Sequence, residues 1–472
     1  MVGTTQFAEK RDILKFVSEE NIKILNLCHI PEDGKLKTLS FSAADNKRVE
    51  EILELGERVD GSSLFSFIEA EKSDIYVAPT IGKGFVNPFS SMPTLNLLCE
   101  YLDENGKPLD VAPRNVLARA EAKLHSSNGI VLKALAELEF YVIAKQLNEP
   151  LFLGLPDKNY HESAPFTKFE NVRNEILVAL SYVGVATKYA HSEVGSMVFS
   201  DGTVAEQHEV ELKPQDLTDM ADEVAIAKWV IRNVCARHNV SASFSPKISL
   251  EHAGTGMHIH LCAVKNGRNI IAGSDGDLSV EAKRMIGGIL KFAPSLSAFG
   301  NPTPVSYLRF IARKESPLLI CWSLRNRLAL IRVPLWWRFR KKKAEETCLE
   351  TFEYRAPDAF ANPHFLLAGI ALAVNYGLKN VKEAAKASED LHVEKREAKE
   401  AKCDVLPLSC YESAKNLEKH RLFYEADNVF PRKIIDKKVE KLYAYGDRNL
   451  RKILSSEPAK VEEMLKQYLH YL

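Results

Sequence analysis

The chain has no excess of charge of either sign. Its 472 residues contain 63 Lys and Arg residues and 63 Asp and Glu residues, so the formal net charge at neutral pH is zero. Nucleic acids and anionic membrane surfaces attract proteins through concentrated positive charge. We therefore expect neither a nucleic-acid partner nor a membrane-surface partner.

Long apolar runs and paired cysteines are also missing. The apolar run at residues 366–374 is far shorter than the roughly 20 residues needed to span a bilayer. No secretory signal is evident, and the eight cysteines show neither C-x-x-C nor zinc-ligand spacing. Free thiols in a reducing compartment explain this usage, so the sequence predicts a cytoplasmic protein with no membrane association.

Glycine-rich nucleotide-binding signatures are absent as well. Neither a Walker A sequence nor a G-x-G-x-x-G sequence occurs, and Gly254-Thr255-Gly256 alone is more typical of a tight turn. A bound nucleotide would then have to be held by metal ions and arginines. The candidate arginines lie in one segment: Arg309, Arg313, Arg325, Arg327, Arg332 and Arg355.

What the sequence does contain is a repeated spacing of polar residues, which is clearest at residues 132–142. If this stretch is a β-strand, Glu137 and Glu139 share one face, because successive side chains alternate between the two sides of a sheet. A strand with one solvated face is the commoner origin of such a pattern. The opposite face would carry only apolar residues: Leu132, Ala134, Ala136, Leu138, Phe140 and Val142.

Three further segments repeat this i, i+2 spacing and favour a shared cavity. The pairs are Glu209 with Glu211, His258 with His260, and Glu353 with Arg355. Four strands could each turn a polar pair toward one cavity and an apolar side toward a core. Carboxylates with one or two imidazoles suit Mg²⁺ or Mn²⁺ better than structural zinc, so we expect a site for a hard divalent cation.

The pattern of elements predicts an α+β protein with two domains. In residues 1–105, short β-rich runs alternate with turns around one helix at residues 48–57, and residues 103–108 form the boundary. In residues 106–472, helices alternate with strands and a helical extension begins near residue 417. The main helices are predicted at residues 113–126, 222–238, 281–292, 363–385 and 394–402.

Several motifs, taken together and in order, resemble those of glutamine synthetase of the class I bacterial and archaeal type. The resemblance runs from Asp60-Gly61-Ser62-Ser63 to Asn362-Pro363 and fades in the C-terminal extension. The other matching motifs are Glu137-x-Glu139-Phe140, His191-Ser192-Glu193-Val194, Gln207-His208-Glu209, Gly254-Thr255-Gly256-Met257-His258-x-His260, Asn301-Pro302, Arg309 with Glu315, Asn326-Arg327, Arg332-Val333-Pro334 and Glu353-x-Arg355-x-Pro357-Asp358.

This resemblance implies a fold, an activity and an assembly. The fold would be an N-terminal β-grasp domain followed by a catalytic domain with a funnel-shaped antiparallel sheet and flanking helices. The activity would be ATP-dependent ligation of ammonia to glutamate through γ-glutamyl phosphate, giving glutamine, ADP and phosphate. Each site would lie between neighbouring subunits of a closed homo-oligomer, a dodecamer of two hexameric rings.

The resemblance also implies roles for individual residues. Two sites for Mg²⁺ or Mn²⁺ would be formed by Glu139, Glu193 and Glu209 and by Glu137, His258 and Glu353. Glutamate would be bound by Gly254, Arg309 and Arg355, and the nucleotide by His191, Arg327 and Arg332. Asp60 of an adjacent chain would deprotonate ammonium in a pocket completed by Tyr160, Glu193 and Glu315, and the catalytic group would comprise Asp60, Glu315, Arg327 and Arg355.

Three departures from the family pattern bear on this assignment. Ala253 stands where the family usually has an asparagine that hydrogen-bonds glutamate. Extra residues lie between Glu193 and Glu209, including a turn at residues 200–203 that we expect beside the metals, and others lie at residues 336–349. His392 lies near the position of the tyrosine that some enterobacterial members adenylylate, so we expect no such modification.

Three alternatives to glutamine synthesis remain open at the level of sequence. An organic amine could replace ammonia in the same chemistry, a possibility that Ala253 and the insertions keep open. A non-catalytic structural homologue is disfavoured because all six implied metal ligands are present. A metal-dependent hydrolase is disfavoured because it does not require an arginine-rich phosphate site.

Overall fold

The computed structural model describes residues 4–145, 155–312, 314, 316–336, 348–393 and 403–471. The strands are β1 (Thr4–Gln6), β2 (Ile24–His29), β3 (Lys37–Ser42), β4 (Glu57–Asp60), β5 (Asp74–Val86), β6 (Thr94–Leu102), β7 (Ile130–Lys145), β8 (Thr187–Val198), β9 (Thr203–Leu212), β10 (Gln215–Asp216), β11 (Ser241–Ser243), β12 (Met257–Lys265), β13 (Arg268–Asn269), β14 (Trp322–Leu324), β15 (Ile331–Val333) and β16 (Phe352–Tyr354). The α-helices are α1 (Lys10–Glu19), α2 (Asn46–Leu55), α3 (Pro113–Asn128), α4 (Glu170–Tyr182), α5 (Leu217–Arg237), α6 (Val280–Gly300), α7 (Pro304–Ile311), α8 (Pro363–Lys379), α9 (Val381–Asp390), α10 (Cys410–Lys419), α11 (Arg421–Glu425), α12 (Arg432–Ala444), α13 (Leu450–Ser456) and α14 (Pro458–Tyr468).

The first sheet is built from the N-terminal strands. Its order is β1-β5-β6-β2-β3, with β4 paired to β5, and only the β2–β6 pair among these described strands is parallel. The prediction of a single helix in this region was wrong, because α1 packs here as well as α2. The buried residues of α1 are Ile13 and Val17, with Leu14 and Phe16 partly buried beside them, so its apolar stripe is short and easily overlooked.

The second sheet is the larger one and is curled around β7. Its order is β14-β15-β16-β12-β7-β9-β8, with the short strands β10 and β11 paired to β7 and β13 paired to β12. The described pairs are antiparallel except for β14–β15, which is parallel. The strand β7 therefore lies between β12 and β9 and brings three long strands side by side.

Helices cover the apolar face of this sheet. On β7, Ala136, Leu138, Phe140 and Val142 belong to the hydrophobic core, which confirms the apolar face predicted for this strand. Helices α3 and α5 pack on β7, and α8 packs on α3, α5 and α6. Most buried apolar residues of both sheets belong to one continuous cluster, and a second, small cluster contains Tyr141, Ile143, Met197 and Ala205. The division into domains near residue 105 stays a prediction.

The predicted helix at residues 363–385 is two helices in the structure. Asn380 separates α8 from α9 and has non-helical backbone angles, with φ −97° and ψ 61°. The helical spacing of apolar and polar residues continues across Asn380, which is why the sequence pattern did not reveal the break. The predicted helix at residues 394–402 and the predicted exposed loop at residues 340–343 lie outside the described residues.

Helices α6 and α8 approach one another closely at glycines. A Cβ atom added to Gly377 would lie 2.1 Å from the carbonyl oxygen of Arg284, and one added to Gly288 would lie 2.2 Å from that of Ala373. Such contacts are possible only without side chains. In the part of the chain that the structure describes, every helix is too short or too polar to cross a membrane.

We expect Gly377→Ala to destabilise the protein by about 1–3 kcal/mol or more, because the new methyl group meets backbone that cannot move aside without separating the helices. Gly369→Ala, on the same helix, is the matched control. Its methyl group would lie 2.8 Å from the end of the Leu296 side chain, which can move aside, and at an ordinary 3.7 Å from the rings of Phe299 and Tyr424. Chemical denaturation of both variants checks this, and an equal loss of unfolding free energy would show that the close approach at Gly377 is not required.

Candidate active site

A cavity of about 890 Å³ lies against the polar face of the second sheet. The strand register explains why polar residues from distant parts of the sequence meet there. His258 on β12 lies opposite Glu137 on β7, and Glu139 lies opposite Glu209 on β9. His260 lies opposite Glu353 on β16. The predicted convergence of four polar pairs is confirmed: seven of the eight side chains line the cavity, and the eighth, Glu353, is fully buried and pairs with Arg355.

One group of possible cation ligands consists of Glu137, His258 and Glu353. Each offers one ligand atom, and the three atoms lie within 4.8 Å of one another. His258 Nδ1 is 2.8 Å from Glu137 Oε2 and 3.5 Å from Glu353 Oε1. Burial alone would raise the pKa of Glu137, but the neighbouring His260 and His258 hold it well below its ordinary value.

A second group consists of His191, Glu193 and Glu209, again with ligand atoms within 4.8 Å of one another. His191 Nε2 is 3.3 Å from Glu209 Oε1, and His191 Nδ1 is 3.6 Å from Glu193 Oε2. Burial, followed by the negative charge of Glu137, raises the pKa of Glu209 well above its ordinary value. A divalent cation would relieve this repulsion, and a site of two carboxylates and one imidazole suits Mg²⁺ or Mn²⁺.

Glu139 belongs to neither of these groups among the described residues. Its Oε2 accepts hydrogen bonds from the backbone N–H of Gly256 at 2.7 Å and from Gln207 Nε2 at 3.0 Å. Gln207 also donates to the carbonyl of Gly254 and accepts from the N–H of Gly195, both at 3.0 Å. This amide therefore joins β7, β8, β9 and the loop that precedes β12.

Some of the predicted arginines pair with a buried carboxylate, and another is held by backbone carbonyls. Arg332 Nη1 is 2.8 Å from Glu353 Oε2, and Arg355 donates to Glu353 Oε1, so two guanidinium groups compensate one buried carboxylate. Burial opposes the charged form of Glu353, but Arg355, His260 and His258 together outweigh it and the pKa is lowered. Arg309 is buried and donates to the carbonyls of Ala356 at 2.8 Å and of Pro357 and Arg355 at 3.3 Å each.

The remaining predicted arginines are less closely grouped. Arg327 lines the cavity with its guanidinium 5.8 Å from the ring centroid of Tyr160, and it is otherwise exposed. Arg325 lies instead in a different cavity of about 610 Å³, beside Trp322 and His392. Arg313 and Glu315 lie outside the described residues.

Asp60 is exposed and lies away from the cavity residues of its own chain. Its Oδ1 accepts from Ser62 N at 2.9 Å and its Oδ2 from Ser63 Oγ at 2.6 Å, so the carboxylate caps the short turn that follows it. Hydrogen bonds from Ser63, and then from Ser62, lower the pKa of this carboxyl. The expectation that Asp60 serves an adjacent subunit stays a prediction.

The departures noted in the sequence lie at different distances from the cavity. Ala253 lines it and is buried, with its carbonyl accepting from Tyr141 at 2.9 Å. The turn at residues 200–203 connects β8 to β9, and Val204 is roughly 17 Å along the strand from Glu209. The prediction that this turn lies beside the metals was wrong, because the extra residues extend the hairpin at its far end. His392 stacks on Trp322 at 4.1 Å, in the second cavity.

His191 and Glu193, which the resemblance implied as site residues, line the cavity and have the same i, i+2 spacing as the other polar pairs. The structure also places three lysines in the cavity that the sequence did not predict. Lysines from β7, β8 and the end of β9 form a basic wall, and Lys188 Nζ is 2.7 Å from Glu211 Oε1. The lysines of this wall are Lys133, Lys188 and Lys213.

Comparisons with known proteins agree with this geometry. Residues 21–104 match the family model described as glutamine synthetase, beta-Grasp domain, and residues 110–442 match glutamine synthetase, catalytic domain. The glutamine synthetase of Pyrococcus abyssi is 32% identical over 446 residues, covering 93% of this chain and 95% of the relative. That of Thermotoga maritima is 30% identical over 421 residues, covering 88% and 91%.

Solved structures show the same fold. A cryo-EM structure of Plasmodium falciparum glutamine synthetase has a TM-score of 0.78 at 21% identity, covering 95% of this chain and 97% of that one. A protein described as GmaS without ligand has a TM-score of 0.74 at 21% identity, covering 92% and 95%. The family resemblance and the α+β fold with an N-terminal β-grasp domain are thereby confirmed.

We expect Gln207→Leu to lower the unfolding free energy by about 1–3 kcal/mol for each buried partner left unsatisfied. The partners left unsatisfied would be the Gly195 N–H and the Gly254 carbonyl, whereas Glu139 Oε2 keeps its hydrogen bond from the Gly256 N–H. Gln215→Leu, at a half-buried glutamine of β10, is the control and should change stability little. Denaturant titration compares the two, and similar losses would mean that the Gln207 amide does not hold these elements together.

Proposed function

The chain belongs to the glutamine synthetase family and is a ligase of that type, and we propose that it joins ammonia to glutamate through γ-glutamyl phosphate, converting ATP to ADP and phosphate. The observation that carries this proposal is the meeting of two carboxylate–imidazole groups with Arg309, Arg332 and Arg355 around one cavity. The family uses ATP and a divalent metal, and we propose Mg²⁺ or Mn²⁺.

The carboxylates provide the ligands for the cations. Glu137, His258 and Glu353 would hold one, and Glu193 and Glu209 would share the other with a third ligand. Bound divalent cations neutralise charge on the phosphates and on the acceptor carboxylate during transfer of the γ-phosphoryl group. The register of β7 against β12 and β9 fixes these ligands relative to one another before any substrate arrives.

Two arginines are placed to stabilise charge on the transferred group. Arg332 and Arg355 already contact Glu353, so their guanidinium groups lie beside one proposed cation. Arg355 also donates through Nε to the carbonyl of Arg327 at 3.1 Å, which fixes the orientation of its planar group. Planar guanidinium groups suit phosphoryl oxygens because they donate two hydrogen bonds in one plane. We propose that Arg327 and Arg332 contact the nucleotide phosphates.

Glutamate would bind at the end of the cavity formed by Gly254 and Arg309. A Cβ atom at residue 254 would lie 2.9 Å from Arg309 Cγ and 3.0 Å from the carbonyl oxygen of Pro246. The glycine therefore lets the backbone approach the arginine closely, and backbone and side chain can face one carboxylate together. Because Arg309 is held by three backbone carbonyls, its position does not depend on the substrate.

The ammonium pocket would be completed between subunits. We propose that Asp60 of a neighbouring chain takes a proton from ammonium beside Tyr160 and Glu193, with Glu315 as a further member outside the described residues. Hydrogen bonds to its carboxylate lower the pKa of Asp60, so it is an anion that attracts a cation. The family forms oligomers, and we propose a dodecamer of two hexameric rings in the cytoplasm.

Phosphate release from ATP tests the proposal. The purified chain is assayed with Mg²⁺, glutamate and either ammonium, methylamine, ethanolamine or a polyamine, with identification of the γ-glutamyl product. We expect the largest kcat/KM for ammonium and no turnover in Glu353→Gln, which keeps the side-chain size but removes a carboxylate.

Each other result selects a different function. A larger kcat/KM with an organic amine would establish the amine-ligase alternative. Phosphate release that needs no amine would indicate a hydrolase. No ATP-dependent turnover with any acceptor would leave a non-catalytic member of the family.

Ala253→Asn should improve glutamate binding, because the new amide would lie at the cavity wall where Ala253 offers no polar atom. One added hydrogen bond to a charged ligand contributes about 1.5–3 kcal/mol, or roughly ten- to a hundredfold in affinity. We expect KM for glutamate to fall while kcat changes less, since the contact serves ground and transition states alike. Ala253→Leu, of similar size, is the control, and equal KM values for the two variants would refute this role for residue 253.

A further inference from the structure

Residues 157–168, here called the edge segment, cover the outer edge of β8. From Asp157 to His161 the backbone N–H groups of this segment donate to every second carbonyl of β8, and the shortest of these bonds joins His161 to Ser192 at 2.9 Å. Among the described strands β8 is the last of its sheet, so the edge segment satisfies backbone groups that the strand would otherwise leave unpaired. The edge segment also carries Tyr160, which lines the cavity.

The other end of the edge segment is held by a buried carboxylate, Glu206 of β9. Its Oε2 accepts from the Lys168 N–H at 2.8 Å and from the Thr167 hydroxyl at 3.1 Å, and its Oε1 lies 3.0 Å from Lys168 Nζ. The Glu206 side chain is fully buried. A carboxylate is costly to remove from water unless it is paired and hydrogen-bonded, so Glu206 and the edge segment hold each other in place.

The position of Glu206 in its strand separates it from the cavity. Side chains alternate along β9, so Gln207 and Glu209 line the cavity while Glu206 faces the opposite side of the sheet. A carboxylate on that side cannot bind a cation or a substrate in the cavity. Its contacts are instead with the segment that brings Tyr160 to the cavity.

Tyr160 depends on its backbone for its position. Its side chain is 43% exposed and stacks on the neighbouring His161 ring at 4.2 Å, so no core packing fixes it. The backbone that carries it is attached through the pairing with β8, through a hydrogen bond from Ser192 Oγ to the Glu162 carbonyl at 2.9 Å, and through Glu206. A loss of the Glu206 contacts would release one end of this segment.

We propose that Glu206 is a positioning residue, which fixes the edge segment through Thr167 and Lys168 and thereby places Tyr160 in the ammonium pocket. This inference rests on the proposed function, which assigns Tyr160 to that pocket. Because Glu206 faces away from the proposed cation and phosphate ligands, its loss should impair the use of ammonium more than the binding of ATP or glutamate.

Glu206→Met tests this role, because methionine fills a similar buried volume but is only a weak hydrogen-bond acceptor. We expect KM for ammonium to rise roughly tenfold or more and KM for ATP and glutamate to change less than about twofold, since a small displacement of a positioning group costs up to about a hundredfold in rate. Glu206→Gln keeps an acceptor for the Lys168 N–H and should restore most of the loss. Steady-state rates with each substrate varied in turn measure this.

Asp222→Asn is the matched control. Asp222 is also a buried carboxylate, but it lies on α5 and pairs with His364 at 2.9 Å and Arg114 at 3.2 Å. Its replacement should leave KM for ammonium unchanged even where it lowers stability. The control therefore separates positioning of the edge segment from a general loss of stability.

Hydrogen exchange of the edge segment measures its attachment without an activity assay. In Glu206→Met the backbone amides of residues 159–168 should exchange faster, including the His161 N–H that donates to Ser192. Circular dichroism establishes that the variant is folded. If it is not, Thr167→Val combined with Lys168→Met removes the side-chain contacts from the edge segment instead, and the same changes in exchange and in KM are expected.

The outcomes separate this inference from the proposed function. Faster exchange confined to Thr167 and Lys168 with an unchanged KM for ammonium, or an equal rise of KM for all three substrates, or the same rise in Asp222→Asn, would overturn the role of Glu206 and leave the ligase proposal intact. An unchanged chain that does not use ammonium would overturn the proposed function and with it the ammonium pocket, while the exchange measurement would still decide whether Glu206 holds the edge segment.

Discussion

The burial of several carboxylates on one face of a single sheet is the constraint on which the rest of the site depends. Glu137 and Glu209 line one cavity, and a ligand atom of Glu353 lies within 4.8 Å of one of Glu137. Removing a carboxylate from water costs several kcal/mol unless opposite charge compensates it. Histidines and arginines provide part of that compensation at Glu137 and Glu353, where the pKa values are lowered. At Glu209 the pKa is raised, so compensation there is incomplete in the protein alone.

The compensation depends on the register of β7. Its two neighbours bring imidazoles to one side and carboxylates to the other, with His258 opposite Glu137 and Glu209 opposite Glu139. A slip of one residue would turn Leu138 into the cavity and the glutamates into the core, so the apolar face and the polar face enforce the same register. The core and the site are thus stabilised by one arrangement of strands.

The carboxylates of the cavity are connected by hydrogen bonds to the loop that contains Ala253 and Gly254. Gln207 contacts Glu139 and the Gly254 carbonyl, while Tyr141 holds the carbonyl of Ala253. Gly195 allows this approach, since a Cβ there would lie 2.0 Å from the Tyr141 hydroxyl oxygen. A change in the proposed cation ligands on β8 or β9 would therefore reach this loop through two hydrogen bonds.

The sequence by itself determined the α+β class, the two faces of β7 and the i, i+2 polar pairs, because side-chain alternation along a strand is a local property. The family resemblance added the expected roles. The sequence did not reveal α1, whose apolar stripe is short, or the break at Asn380, across which the periodicity continues. Only the tertiary structure showed that His191 lies with Glu193 and Glu209, and that Glu139 is hydrogen-bonded to Gln207 and Gly256. It also showed that the turn at residues 200–203 lies far from the carboxylates of the cavity. These results depend on strand register and on hydrogen bonds between residues far apart in the chain, and local patterning carries no information about either.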